Sequence, residues 1–241
     1  MRREFIVKPI DGSFSLKEHI YDVLKDGIMA MDIYAEDARL KLDERQLSEQ
    51  LNISRTPIRE ALARLEQEGL VRVIPRRGVF ILRKTVDEIL EMITVWAALE
   101  SMAARLATER AGDDEIASLR PLLASFSQDE AETHLDEYSE ANIRFHRRII
   151  ELSGCNLLLS IADGLFIHMR AIRVRTMTED NRVQRSIVDH NHIIEAIEAR
   201  DADIAGRLVR EHTMKLHAHV KRTWVEPVET GADEAPREMA L

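Results

Sequence analysis

The chain has 241 residues, 45% of them apolar and 5% aromatic, with 32% charged and a formal net charge of −9. No apolar run reaches the roughly 20 residues that a membrane-spanning helix needs, and the opening Met1-Arg2-Arg3-Glu4-Phe5 lacks the apolar core of a secretory signal. Cys155 is the one cysteine, so an internal disulfide is excluded and a reducing cytoplasm is the expected location. Richness in Ala, Leu, Glu and Arg predicts a mainly α fold, long enough for one large or two modest cores.

Residues 1–14 read as a loose arm. Residues 15–31 follow as a helix capped by Ser15, with Leu16, Ile20, Val23, Leu24 and Ile28 on one face. Leu40 and Leu42 suggest a short strand. Residues 44–69 then read as two helices joined by a tight turn. In the first, Asp43 is the expected N-cap, Leu47 and Leu51 share a face, and Asn52 can close it in the left-handed conformation. The second starts at Ser54, whose hydroxyl can cap it. Pro57 sits in the first turn, where it needs no N–H; Ile58, Leu62 and Leu65 form the apolar stripe, and Gly69 ends it.

Arg55, Thr56 and Arg59 occupy the opening turn and a half of that second helix. A helix-turn-helix protein presents side chains to base edges and phosphates from this place. An ordinary helical hairpin with solvated arginines has the same two-helix pattern. The next residues favour DNA. Leu70–Ile74 and Val79–Leu82 are β-rich runs around the turn Pro75-Arg76-Arg77-Gly78, which makes a basic hairpin, or wing, with Arg76 and Arg77 at its tip.

The run Ser54-Arg55-Thr56-Pro57-Ile58-Arg59-Glu60-Ala61-Leu62, followed by Arg64-Leu65-Glu66, Gly69-Leu70 and Arg77-Gly78, resembles the winged-helix signature of GntR-family bacterial transcription regulators. The resemblance implies that Arg45, Arg55, Thr56, Arg59 and Gly78 face operator DNA, as in the family's FadR branch. With Ser54 at the helix start and Arg77 at the wing tip, these form the expected DNA-binding set. The chain departs from the family upstream, where Ile33-Tyr34-Ala35-Glu36-Asp37-Ala38 stands in place of a loop with Pro-Gly. Charge agrees with a reading head: residues 54–84 hold eight Lys/Arg against three Asp/Glu, whereas residues 85–241 hold eighteen against twenty-nine.

From Thr85 the pattern is helical almost throughout. Thr85 caps a long helix to about Ala111, and further helices are expected over 113–126, 131–152, 156–176, 183–200 and 201–224, with Asp201 as a cap and Ser153-Gly154 as a turn. Residues 226–241 have no apolar face and read as disordered. The expected organisation is a winged helix-turn-helix domain at 1–82, an all-helical domain at 83–225 and the tail.

Nine histidines are present. Asn142 and His146 lie one turn apart on one helix face, His190 opens a later helix, and His212 lies on the last one. Spacing alone does not bring these helices together, and scattered helical histidines are more often surface or satisfied core residues. The set Asn142 and His146, His190 with Ala196-Ile197 after it, and Asp201 with His212, resembles the FCD ligand-binding domain of the FadR branch. That implies a divalent metal, zinc or nickel, held by Asn142, His146, His190 and His212, with a small organic-acid effector completing its coordination. Asn142 replaces the commoner Asp. Trp96 stands where the family often has an arginine, four residues before Glu100; it is either core packing or a mark of a less acidic effector. Arg173, with Arg170 and Arg175, is either a carboxylate partner for the effector or part of a solvated basic face. His192, His217 and His219 receive no role.

The expected protein is a cytoplasmic, dimeric, ligand-responsive transcription regulator, a repressor on a palindromic operator, with no membrane partner. The alternative is a metal-dependent enzyme using the three-histidine site. Against it, the sequence has no His-Glu-x-x-His pair, nucleophile elbow or phosphate loop, so no catalytic residue is assigned.

Overall fold

A computed structural model of the chain describes residues 16–123, 134–177 and 182–225, without the side chains of Leu135, Asp136 and Met177. The expected arm at 1–14, the Ser15 cap and the tail at 226–241 lie outside the described residues. Contacts divide these residues into two compact units, one of residues 16–30 and 39–82, the other of residues 31–38 and 83–225.

In the first unit, α1 (Leu16–Ala30) packs against α3 (Arg55–Gln67), and α2 (Glu44–Leu51) precedes α3 through the tight turn. Ile20, Tyr21, Leu24 and Ile28 are the residues α1 buries, whereas Leu16 and Val23 of the expected stripe are exposed. Tyr21 takes their place because its ring carries the Arg64 guanidinium 3.7 Å above it and its hydroxyl donates to Glu68 Oε2 at 2.6 Å. Three short antiparallel strands, β1 (Lys41–Leu42), β2 (Val71–Ile74) and β3 (Gly78–Ile81), run in the order β1-β3-β2. Lys41 pairs with Phe80 and Val73 with Val79, so β1 closes the wing into a small sheet.

The second unit is helical: α4 (Val86–Arg110), α5 (Asp113–Ala117), a 3-10 turn at Arg120–Leu122, α6 (Leu135–Leu152), α7 (Asn156–Met177), α8 (Arg182–Glu198) and α9 (Ala202–Thr223). Thr85 and Glu88 form a reciprocal capping box that starts α4. The expected single helix over 113–126 does not form over its described part. Pro121 cannot continue α5, and the chain tightens into the 3-10 turn instead. α4 is the central element, flanked by α6, α7, α8 and α9. Ala97, Ala103, Ala104 and Ala107 keep its inner face thin. At Gly206 of α9 an added Cβ would stand 2.6 Å from Arg105 Cγ, and the Gly206 carbonyl accepts from Ser101 Oγ at 2.7 Å. Only a glycine permits this approach of α9 to α4. Residues 31–38 belong to this unit. Tyr34 is buried edge-on against Trp224 at 5.0 Å, and Arg83 Nε donates to the Ile33 carbonyl at 2.6 Å.

Candidate functional site

Two clusters carry the expected chemistry, one in each unit. In the winged helix, α2 starts where the Asp43 carboxylate accepts from Arg45 N at 2.8 Å and Gln46 N at 3.0 Å, and it ends at Asn52 with φ 52°. α3 starts at Arg55. Ser54 has the extended backbone of an N-cap, but its hydroxyl makes no capping bond, contrary to expectation. Pro57, the third residue of the helix, has no hydrogen to give, which removes one of the two backbone donors such a hydroxyl can use. Arg45, Ser54, Arg55, Thr56, Arg59 and Arg77 are all exposed. Arg45 pairs with Glu49 at 2.9 Å and Arg59 with Glu44 at 2.7 Å, surface pairs that a phosphate can replace at small cost. In the wing turn Arg76 is left-handed at φ 64°, and Gly78 has φ 117° with room for a Cβ only 3.3 Å from Lys41 Cε. Gly78 is thus required by backbone geometry whatever else it does.

The helical unit turns its polar groups inward. Glu100 of α4 is fully buried. Its Oε2 accepts from Trp96 Nε1 at 2.9 Å and from Thr213 Oγ1 at 2.9 Å, its Oε1 meets His146 Nδ1, and Arg173 lies 3.6 Å away. Trp96 is therefore a buried donor to Glu100 rather than inert packing. Nor do the three arginines of α7 form a solvated basic face. Arg173 is buried opposite Glu100, Arg170 pairs with Glu140, and Arg175 donates to the carbonyls of Tyr34 and Val225. Burial pushes the Glu100 carboxyl up, and Arg173 and His212 pull it back.

His146 of α6, His190 of α8 and His212 of α9 converge, each offering a ring nitrogen within 4.8 Å of the others. His146 Nε2 and His190 Nε2 are 3.3 Å apart. On the outer side, His146 Nδ1 faces Glu100 and His212 Nδ1 lies 3.1 Å from Asp189 Oδ2. A carboxylate accepts, so in both rings the proton sits on Nδ1 and Nε2 turns a lone pair inward. Burial holds His146 and His190 well below their ordinary range, and it lowers His212 against the opposing pull of Asp189. Neutral imidazoles are what a metal needs.

This arrangement fits a divalent metal. His146 Nε2 turns its lone pair toward His190 Nε2 at 3.3 Å, and the carboxylates behind His146 and His212 match the outer partners that orient metal-ligating imidazoles. Asn142, one turn before His146, is fully buried with neither amide atom bonded among the described residues, and His190 Nδ1 is likewise unpartnered there. An amide oxygen in that state is a candidate donor. Sequence reasoning missed Glu100 as the hub, and Asp189 and Thr213 as partners. Glu100 left one signal, a charge inside the alanine-rich stripe of α4; Asp189 and Thr213 left none. His219, given no role, is buried and with His212 lines a cleft between α8 and α9.

Residues 91–215 match the FCD domain, and residues 16–81 match the bacterial regulatory proteins of the gntR family. The chain is 32% identical over 176 residues to the Nta operon transcriptional regulator of Aminobacter aminovorans, covering 73% of this chain and 81% of that protein. It is 30% identical over 166 residues to the HTH-type transcriptional repressor GlaR of Escherichia coli, covering 66% and 76%. Among solved structures, E. coli McbR/YncC superposes with a TM-score of 0.72 at 23% identity, over 87% of this chain and 99% of that one, which demonstrates the shared fold.

Proposed function

The chain belongs to the gntR family of bacterial regulatory proteins and carries its FCD domain, and from that premise we propose that it is a ligand-responsive transcriptional repressor whose effector is a small organic acid bound at a metal in the helical domain. The observation that carries the reading is the convergence of three neutral imidazoles on one point, with Glu100 and Asp189 behind two of them. Relatives titled as regulators and repressors support the class. Nothing in these matches favours the enzyme alternative.

In this reading residues 1–82 read DNA and residues 83–225 bind effector and dimerise. Arg45, Ser54, Arg55, Thr56 and Arg59 meet bases and phosphates in the major groove, and Arg77 on its Gly78 turn meets the backbone or the minor groove. Two heads on a two-fold dimer match a palindromic operator and turn modest single-head affinity into specific binding. His146, His190, His212 and Asn142 hold the metal, zinc or nickel by the preference of imidazole. When bound, it supplies open coordination positions for a carboxylate. Glu100 and Asp189 keep the protons on the outer nitrogens of His146 and His212. For the effector to regulate, it must bind the DNA-bound and free proteins with different affinities.

The test is metal content of purified protein by plasma mass spectrometry, alongside operator binding by fluorescence anisotropy. The expected result is one metal per chain, lost in His146→Ala, His190→Ala and His212→Ala. A metal-free wild type that binds its operator normally removes the metal and leaves the regulator.

A further inference from the structure

Two arginines of the winged helix are paired with carboxylates, and the two pairs are built differently. Arg45 and Glu49 lie one turn apart on α2, and both side chains stand in solvent, 73% and 65% exposed. When a phosphate takes Arg45, Glu49 can turn into water at small cost. Arg59 and Glu44 are 15 residues apart and join α3 to the first turn of α2. Here the arginine side chain is 63% exposed and the carboxylate only 25%, so Glu44 has less water to turn into. Glu44 Oε2 accepts from Arg59 Nε at 2.7 Å. That bond uses the nitrogen nearest the stem, and the two terminal nitrogens of Arg59 have no partner among the described residues. A phosphate on those nitrogens would come to rest near a carboxylate that stays, and like charges repel. Guanine offers O6 and N7, two uncharged acceptors that match the arginine fork, and meets no such penalty.

We propose that Glu44 is a specificity-determining residue of the DNA-binding unit: through Arg59 it favours the edge of a guanine base over a phosphate. It is a positioning residue, since it acts on DNA only through Arg59. The proposal rests on the reading of α3 as the helix that meets base edges, and it deepens that reading by dividing the arginines. Arg59 reads sequence, whereas Arg45, whose carboxylate is free to leave, anchors phosphate. A surface ion pair contributes little to the stability of the fold. What Glu44 changes is the choice Arg59 makes among DNA partners.

The experiment is selection by the full chain from duplexes with a randomised palindromic core, followed by fluorescence anisotropy of the selected duplex and a scrambled one over a range of salt. The wild type is expected to enrich guanine at one position of each half-site, and Arg59→Ala to erase that preference. Glu44→Gln keeps the acceptor and the shape but not the charge. It should lower the ratio of selected to scrambled affinity about tenfold, and steepen the salt dependence by about one phosphate contact. Glu49→Gln makes the same charge change at the carboxylate that can leave; it should raise affinity for both duplexes alike and keep the ratio. Arg45→Ala should weaken both alike. A Glu44→Gln protein with the wild-type ratio, a Glu49→Gln protein that loses as much of it, or an Arg59→Ala protein weakened equally on both duplexes overturns the proposal. Failure of the underlying reading has a different signature: neither Arg55→Ala nor Arg59→Ala changes the selected sequence, and the proposal falls with it.

Discussion

The two units treat charged residues in opposite ways. In the winged helix Arg45, Arg55, Arg59 and Arg77 stand in solvent, and two of them have only surface partners. In the helical unit Glu100, Arg173, His146, His190 and His212 are buried and gathered around one another. A surface that reads DNA must keep its charges wet until phosphate arrives, since a dehydrated arginine would be costly in the free protein. A small-ligand site must be dry beforehand, so that a few fixed donors discriminate strongly. The same residue types therefore carry little stability in one unit and much in the other.

That contrast breaks most visibly at Glu100. Glu100→Ala leaves Arg173 buried without its counter-charge, and unfolding free energy in urea should fall by about 3–5 kcal/mol. Adding Arg173→Met should restore most of it. A loss below about 1 kcal/mol would mean that the buried pair is not what holds α4 to α7.

A second buried group extends the contrast to pH. His168 of α7 is buried with Nδ1 unpartnered among the described residues, and burial pushes its imidazole down to about 4. Below about pH 6.5 the unfolded chain takes up a proton that the folded chain refuses. Stability therefore falls with pH between about 6.5 and 4, by about 3 kcal/mol, and this group adds no further loss below that. His168→Leu should flatten the thermal-denaturation profile across that window; an unchanged slope sinks the assignment.

At the wet surface the effects should move from stability to DNA. Arg55→Ala and Arg59→Ala should each weaken operator binding by about 1–3 kcal/mol, with melting temperature nearly unchanged. Operator affinity equal to wild type would count against α3 as the reading helix. The smallest and sharpest comparison lies between the two caps. Asp43→Ala should cost about 1 kcal/mol, because Asp43 accepts two backbone hydrogens, whereas Ser54→Ala should cost no more than a few tenths, because its hydroxyl caps nothing. Equal costs, read from paired denaturation curves, would mean that Ser54 does cap α3.

The winged helix was legible because its information is local. Asp43, Asn52, Pro57 and Gly69 mark helix ends within a single run of chain, and Arg55, Thr56 and Arg59 share a face by helical period alone. The misreading of α1 came from beyond its own run of chain: Leu16 and Val23 fit the helical period, yet Tyr21 won the buried position through Arg64 and Glu68, contacts from another helix. In the helical unit the period located the helices, except that Pro121 stopped α5 where apolar spacing ran on. The imidazoles could be named by resemblance, and Glu100 as a landmark beside Trp96, but nothing in the sequence made Glu100 their partner. Its role depends on Thr213, 113 residues away, and on a tautomer choice in His146.

By itself the sequence determined the helix ends of the two-helix unit, the basic wing, the division between a cationic head and an acidic body, and the family. Each follows from backbone preferences and charges that act over a few residues. Tertiary structure alone decided that α4, α6, α8 and α9 bring Glu100, His146, His190 and His212 together, and that Trp96 and Arg173 turn toward Glu100. Helical periodicity says which face of a helix is buried, but not which other helix it is buried against. A site made from four helices exists only once that packing is settled.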